Sequence, residues 1–441
     1  MSTDTTQHDD VIVIGAGLAG LACAHRLAAA GRRVRVLEAE DAPGGRARTV
    51  WHEGRPVDLG FQVLFSRYAA TRAFIRELGI PRNDLRAFSG GAAFWNGTAW
   101  NRLAPTPQSL VRFGGLSAGD RFRLARLGAE VLRRPPEDWL DEPAAGRTTE
   151  EHLRELGFGD DAIDGFFRPF WGVVFLDRSL SADAGYFRFL FGTLLRGPAV
   201  LPADGLGMIA EWAAAGIRQR GGHVELGVRV NDIVRGDDGG ASGVRTADGR
   251  TLAAHAVVLA VEAPAARRLL EPLDPDTTRR VPSAAASVVT AAFALARPLY
   301  RGRVILINGD RGDASVPRVD LLCQTTNVTR PEAVGGPHIL LATTVTTPGA
   351  ADAPGLVEAV AGAVARWSPG YAWSAHARVV GVTEHDFAQY RPAPGVRDDL
   401  PGTRTRVARL MVAGDLTTHP SIEGAVRSGT AAADALLAAP A

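Results

Sequence analysis

The sequence contains no lysine, and all 49 positions counted as lysine or arginine are arginine. Lysine is the side chain that forms Schiff bases with carbonyl groups and binds phosphate in P-loops. Its absence excludes both kinds of chemistry. Only two cysteines are present, Cys23 and Cys323, and they form no C-x-x-C pair. Iron–sulfur and structural zinc sites are therefore not expected, and the histidines show no metal-ligand spacing, so we predict no metal site.

Long apolar runs and strong charge are also missing. No segment approaches the roughly 20 apolar residues that a membrane-spanning helix needs. Residues 1–10 are polar and acidic, without the pattern of a signal peptide. The net charge is only +1, so nucleic acid is not an expected partner. The sequence predicts a cytoplasmic protein, with peripheral contact to the inner face of the membrane left open as an alternative.

The chain opens on a β-α-β pattern. Its 441 residues, 46% of them hydrophobic, are enough for two or three domains. Residues 11–14 predict a strand buried on both faces, and residues 18–30 predict a helix that Gly31 ends. Residues 33–38 predict the second strand, which completes the unit.

The later chain alternates between two kinds of pattern. Residues 61–201 are helical in pattern, strands return after residue 205, and the end is again strand and helix. We predict an α/β fold whose Rossmann-like, dinucleotide-binding domain comprises residues 1–85, 202–275 and 400–441. A mixed α+β substrate domain, inserted twice, is predicted to comprise residues 86–201 and 276–399.

The first β-α turn carries a G-x-G-x-x-G pattern, formed by Gly15, Ala16, Gly17, Leu18, Ala19 and Gly20. The glycines allow a tight turn, a close approach of pyrophosphate and close helix–strand packing. The helix amino terminus offers free N–H groups to phosphate. Glu38, at the tip of the second strand, is placed to accept hydrogen bonds from ribose hydroxyls. Together these features predict dinucleotide binding.

The residues that follow Glu38 carry a family resemblance. Ala39 leads into Gly44, Gly45 and Arg46, and here the chain resembles the FAD-dependent amine oxidase and phytoene desaturase superfamily. The resemblance implies a two-dinucleotide-binding-domain flavoprotein with FAD as cofactor. It also implies that this loop follows the pyrophosphate, where the guanidinium of Arg46 neutralises charge. The alternative is a solvated basic loop.

Two further segments fit the same superfamily. Gly60, Phe61 and Gln62 match the D-x-G-x-Q form seen in squalene-associated desaturases, and the resemblance implies that they pass near the flavin ring. Val230 matches the position whose backbone commonly holds the adenine.

The carboxyl end corroborates the resemblance. Gly414 and Asp415 precede Glu423, Gly424 and Ala425. The resemblance implies that Asp415 binds the ribityl chain. It also implies that the helix beginning near Glu423 points its amino terminus at the pyrimidine edge of the flavin, where negative charge grows on reduction.

Two departures separate the chain from typical amine oxidases. Those enzymes usually hold a water near flavin N5 with a lysine, and they usually place an aromatic residue where this chain has Ser421. The form S-I-E-G-A-V-R-S-G instead resembles plant-type carotene desaturases and squalene-associated FAD-dependent desaturases, which act on long isoprenoid hydrocarbons. FAD is expected to bind non-covalently, since neither cysteine lies near this motif.

An aromatic stretch lies in residues 166–191. It could line an apolar tunnel beside the flavin, form the core of a helical domain, or in part face a membrane. The candidates for substrate contact are Phe166, Phe170, Trp171 and Phe187.

These observations predict an FAD-dependent oxidoreductase that removes a hydride and a proton from a hydrophobic, isoprenoid-like substrate to form a C=C bond. The expected electron acceptor is O2 or a quinone. An amine or protoporphyrinogen oxidase and a non-catalytic, Rab-escort-like binding protein stay open as alternatives. His419 is the one candidate general base, with a solvated or capping role as its alternative.

Overall fold

The computed structural model describes residues 9–104, 106–141, 146–310, 318–330 and 335–438. The first predicted cofactor-binding segment, residues 1–85, therefore begins outside these ranges, and the last, residues 400–441, ends outside them. The strands are β1 Asp9–Ile14, β2 Val34–Leu37, β3 Thr49–His52, β4 Arg55–Asp58, β5 Leu64–Phe65, β6 Leu85–Ala87, β7 Ala92–Trp95, β8 Trp100–Leu103, β9 Ala199–Pro202, β10 His223–Glu225, β11 Val230–Arg235, β12 Ala241–Thr246, β13 Thr251–Leu259, β14 Ala285–Leu295, β15 Ile305–Asn308, β16 Leu321–Gln324, β17 His338–Thr346, β18 Ala377–Tyr390 and β19 Leu410–Val412.

Helices connect and cover these strands. They are α1 Leu18–Ala29, α2 Ala69–Glu77, α3 Pro107–Arg112, α4 Ala118–Val131, α5 Asp138–Asp141, α6 Thr149–Glu155, α7 Asp160–Ala162, α8 Arg168–Phe175, α9 Ala184–Arg196, α10 Gly207–Gln219, α11 Ala263–Leu270, α12 Pro275–Arg280, α13 Ala353–Trp367, α14 Trp373–His376 and α15 Ile422–Leu437.

The first seven-stranded sheet has the order β10-β2-β1-β13-β12-β11, with β19 paired to β13. Its centre is parallel, since β1 pairs in parallel with β2 and β13, and β13 with β19. Parallel strands need helices on their faces, and α1 packs between α10 and α15. The predicted α/β fold with a Rossmann-like core is confirmed.

The second seven-stranded sheet has the order β18-β14-β17-β16-β15-β7-β8 and is antiparallel except where β15 meets β7. Its strands come from residues 92–103 and 285–390, whereas those of the first sheet come from residues 9–37, 223–259 and 410–412. The sequence boundaries of the two domains stay a prediction.

The interpretation of residues 61–201 as helical is incomplete, because β5 to β9 lie there. These strands have four residues or fewer, too short for a period to be visible. Most of their partners are distant in sequence: β7 pairs with β15, and β5 and β6 pair with β9, whereas β8 pairs with its neighbour β7. Non-local pairing selects the strand conformation for such segments.

Candidate functional site

The glycine-rich turn joins β1 to α1 and is held by Glu38. The carboxylate of Glu38 accepts a hydrogen bond of 2.6 Å from the Ala16 N–H. Gly15 has φ +102°, and a Cβ atom on Gly20 would lie 2.0 Å from the Gly15 carbonyl oxygen. Two glycines are thus required by the turn itself. Glu38 is buried and lies at the end of β2, as the motif predicted.

A second glycine loop packs against the first. The Gly44 N–H donates to the Ala16 carbonyl oxygen at 2.9 Å, and a Cβ on Gly45 would lie 3.5 Å from the Gly17 Cα. By contrast, a Cβ on Gly17 would meet no other atom within 4 Å. Open space therefore adjoins the backbone of Gly17 at the amino terminus of α1, as a diphosphate would require.

Arg46 connects the two ends of the chain. Its guanidinium donates to the carboxylate of Asp415 at 3.0 Å and to the Ala388 carbonyl oxygen at 2.6 Å. The Gln62 amide in turn donates to the Arg46 carbonyl oxygen at 2.9 Å. The structure thus brings together Arg46, Gln62 and Asp415, which three separate motifs had singled out.

The adenine-side candidates lie next to Glu38. The Val228 N–H donates to the Glu38 carbonyl oxygen at 2.7 Å, and Val230, the first residue of β11, follows two residues later. The Val230 carbonyl oxygen accepts from Arg268 at 3.3 Å. Ala39 continues the chain from Glu38, between β2 and the second glycine loop.

The loop before α15 is tightly fastened. The Ser421 hydroxyl caps α15 by accepting from the Gly424 N–H at 2.9 Å, and the Ala425 N–H donates to the Ser421 carbonyl oxygen at 3.0 Å. A Cβ on Gly424 would lie 2.1 Å from the His419 carbonyl oxygen. Ser421 therefore has a structural role as the cap of α15, and glycine is required at position 424 because the His419 carbonyl oxygen leaves no room for a side chain.

His419 is buried beneath this loop. Its Nδ1 lies 2.9 Å from the Ser421 hydroxyl, and its ring packs on Phe189 with centroids 4.8 Å apart. Burial, with the nearby positive charges of Arg397 and Arg427, lowers the pKa of His419 to about 3. Such an imidazole is neutral at pH 7 and accepts a proton poorly, which weakens the hypothesis of a general base.

Glu423 contacts a neighbouring helix. Its buried carboxylate accepts from the Ala70 N–H at 2.8 Å, the Thr71 N–H at 2.9 Å and the Thr71 hydroxyl at 2.8 Å, which caps α2. Any contact of Glu423 with the cofactor would therefore have to come from its backbone.

Phe61, next to Gly60, packs edge-on against Phe88 with centroids 6.4 Å apart.

The aromatic candidates are mostly core. Phe166, Trp171 and Phe187 are buried, whereas Phe170 is half-buried. The rings of Trp171 and Phe187 meet edge to face with centroids 4.9 Å apart. This packing favours the alternative of a helical-domain core for three of the four, while a role in substrate contact stays a prediction.

The motifs did not single out His385, which lies on β18. Its Nε2 is buried, has no hydrogen-bond partner among the described residues, and would lie 3.9 Å from a Cβ on Gly60. Burial, then the positive charge of Arg46, lowers the pKa of His385. An imidazole whose protonation is disfavoured thus adjoins the predicted flavin segment. No sequence signal could have found it, because β18 reaches Gly60 only through the fold.

Asp58, at the end of β4, ties this segment to α10. Its carboxylate accepts from the Leu206 N–H at 2.9 Å and from the hydroxyl of Thr49. Burial raises the pKa of Asp58 from 3.8 to about 6. Because the folded chain binds this proton more tightly, the stabilisation is fully present below about pH 3.8 and is lost as the pH rises through about 6.

We therefore expect Asp58→Asn to flatten the pH dependence of stability. Between pH 4 and 7 the free energy of unfolding of the wild type should fall by roughly 2–3 kcal/mol relative to this variant. Urea unfolding at several pH values measures the difference. Asp237→Asn, in an exposed hairpin turn, is the control. Parallel pH profiles for wild type and Asp58→Asn would contradict the burial argument.

The described residues contain neither a candidate metal site nor a candidate membrane span. No group of histidine, cysteine and acidic side chains there could hold a metal ion. No helix in the same ranges is long and apolar enough to cross a membrane.

The sequence profile of the family described as flavin containing amine oxidoreductase matches residues 18–437. The chain belongs to this family, so FAD is its cofactor. The open space beside Gly17 and the positive charge of Arg46, which follows Gly45 in the adjoining loop, fit a diphosphate. The assignment of these two residues to the FAD pyrophosphate stays a prediction.

Individual relatives differ in what their names say. A Mycobacterium tuberculosis protein described as flavin-containing monoamine oxidase AofH is 30% identical over 281 residues, which cover 60% of this chain and 59% of that protein. Hydroxyneurosporene desaturase of Rhodobacter capsulatus is 55% identical over 65 residues, 15% of this chain and 13% of that protein. The chain thus spans less than two thirds of these relatives.

Solved structures share the fold. An oxidoreductase from Methanosarcina mazei superposes with a TM-score of 0.77 at 19% identity, covering 96% of this chain and 99% of that one.

Proposed function

We propose that this protein is an FAD-dependent oxidoreductase that desaturates a hydrophobic, isoprenoid-like substrate. The observation that carries the proposal is the convergence of the Gly17 turn, Arg46 and Asp415 at one place. Bound FAD supplies a hydride acceptor. The substrate loses a hydride from one carbon and a proton from its neighbour, and a C=C bond forms between them.

The chain's own residues bind and orient. The turn at Gly17 and the amino terminus of α1 receive the diphosphate, and Arg46 offsets its charge. Asp415, whose carboxylate accepts a hydrogen bond from Arg46, is proposed to bind the ribityl chain. Because His419 is buried and neutral, it takes up no proton in this reaction, and the substrate proton leaves to solvent.

FAD is proposed to be non-covalent. Cys23 lies on α1 and Cys323 on β16, so both are buried in elements other than the loop before α15. Burial raises the pKa of the Cys23 thiol to about 12, so the nucleophilic thiolate is scarce. O2 or a quinone is the proposed electron acceptor, and a peripheral membrane position would suit a lipid-soluble substrate.

The substrate class rests on the form of the last motif. Ser421 occupies the place of an aromatic residue, and no lysine is available to hold a water. The short match to hydroxyneurosporene desaturase supports the same class. Amine oxidation is the second candidate, favoured by the longer match to the mycobacterial protein described as a monoamine oxidase.

Anaerobic reduction of the bound flavin tests the proposal. We expect loss of the flavin absorbance on mixing with long isoprenoid hydrocarbons in detergent, and no loss with primary amines, polyamines or porphyrinogens. A dithionite-reduced sample gives the full amplitude. Rapid bleaching by a small amine, with no response to any lipid, would overturn the substrate class. A purified chain without a flavin spectrum that takes up no added FAD would favour the non-catalytic alternative.

A further inference from the structure

The two most exposed large apolar side chains lie on two consecutive helices, α3 and α4. Phe122 on α4 is 72% exposed, and Val111 on α3 is 70% exposed. The Arg121 guanidinium donates to the Val111 carbonyl oxygen at 2.8 Å, so the end of α3 is fastened to the start of α4. Leu132, at the other end of α4, is also exposed.

Helix α4 has two faces of opposite character. Its inner face, with Leu124, Leu127 and Val131, is buried in the aromatic core. Phe122, Arg126 and Arg133 recur at helical spacing on the outer side and are exposed. We define the α3–α4 patch as Val111, Arg112, Phe122, Arg126, Leu132 and Arg133. At a rise of 1.5 Å per residue, α4 alone is roughly 21 Å long.

The segment that carries the patch is also strongly basic. Residues 106–134 contain six arginines and two acidic residues, a net charge of +4, although the whole chain carries +1. Both acids already have partners: Asp120 pairs with Arg123 at 3.1 Å, and Glu130 lies 3.9 Å from Arg188. The arginines of the patch form no ion pair within the described ranges, so their charge is available.

We propose that the α3–α4 patch docks on an anionic phospholipid surface. Exposed apolar side chains interleaved with arginine on one helix face are what an interfacial helix presents: the apolar groups enter the acyl boundary, and guanidinium groups meet lipid phosphates. Such docking would locate the peripheral membrane contact on the fold. It does not depend on the substrate, and it differs from the aromatic stretch of α8 and α9, most of which is buried.

Vesicle co-sedimentation of the FAD-loaded protein tests the docking. We expect binding to vesicles of phosphatidylcholine with about one-third phosphatidylserine, little binding to phosphatidylcholine alone, and release in about 0.5 M NaCl. The double variant Arg126→Gln/Arg133→Gln should weaken binding about 25-fold, since each arginine near an anionic surface contributes about five-fold. Phe122→Ser should weaken it about ten-fold.

Matched controls lie on other surfaces. Arg32→Gln/Arg82→Gln removes two exposed arginines, and Trp51→Ser removes another exposed aromatic side chain. Both should bind like the wild type. Equal binding by the patch variants, equal binding to neutral vesicles, or no binding at all would overturn the proposal. So would concentration-dependent dimerisation in light scattering that Phe122→Ser abolishes, because the patch would then contact a second copy. Unchanged flavin content and dithionite reduction in every variant separate these results from a failure of the proposed reaction.

Discussion

Gly17→Val is expected to give a folded but colourless protein. Gly17 has φ −70° and ψ 172°, which valine adopts readily, and a Cβ there meets no other atom within 4 Å. The fold should therefore tolerate the change. The branched side chain would instead fill the space beside the amino terminus of α1 that the diphosphate needs. We expect FAD affinity to fall by at least about a hundred-fold, the loss of a few charge-assisted hydrogen bonds.

The measurements are the flavin-to-protein absorbance ratio, FAD affinity by calorimetry, and the melting temperature of the apoprotein. Gly402→Val is the control, because Gly402 is exposed, also has open space at its Cβ position, and lies outside the site. A full flavin complement in Gly17→Val would show that the cofactor has been placed wrongly. Unfolding of this variant's apoprotein would contradict the open geometry.

Phe187→Ala is expected to destabilise the fold severely. Phe187 is fully buried in α9, edge-on to Trp171 and stacked on Phe191 with centroids 5.8 Å apart. Removing the ring leaves a cavity that its aromatic neighbours cannot fill, at a cost of about 3–5 kcal/mol. The midpoint of urea unfolding, compared with that of the wild type, measures the loss.

Phe122→Ala, on helix α4, is the matched control. Removal of this exposed ring leaves no cavity and should change the free energy of unfolding by less than about 0.5 kcal/mol. Phe170→Ala, at a half-buried ring, should lie between the two. If Phe187 lined a substrate tunnel, its alanine variant would keep nearly full stability and flavin content while losing turnover. That result would reinstate the tunnel interpretation.

The cofactor class could be predicted from local patterns because each pattern is short and contiguous. A strand, a glycine turn and a helix are specified within about 30 residues, and an acidic residue after the next strand completes the unit. The sequence therefore indicated Gly17, Glu38 and Arg46 without any knowledge of their contacts. The family match across residues 18–437 agrees with the FAD cofactor implied by the resemblance.

Residue type alone did not settle the role of two other predicted positions. Glu423 was predicted from its motif, yet its carboxylate caps α2, whose position is set by packing. His419 looked like a base in a loop, but aromatic rings from α9 bury it. Both outcomes depend on helices that lie hundreds of residues away in sequence.

The sequence by itself determined the Rossmann-like core, the flavin family and the chemistry that a chain without lysine excludes. These follow from contiguous motifs and composition, which need no long-range contact to be recognised. Only the tertiary structure decided that most of the aromatic stretch is core, that Arg46 meets Asp415 and that His385 adjoins Gly60. Burial and non-local pairing arise when distant segments pack together, and their energies depend on neighbours that no local pattern specifies.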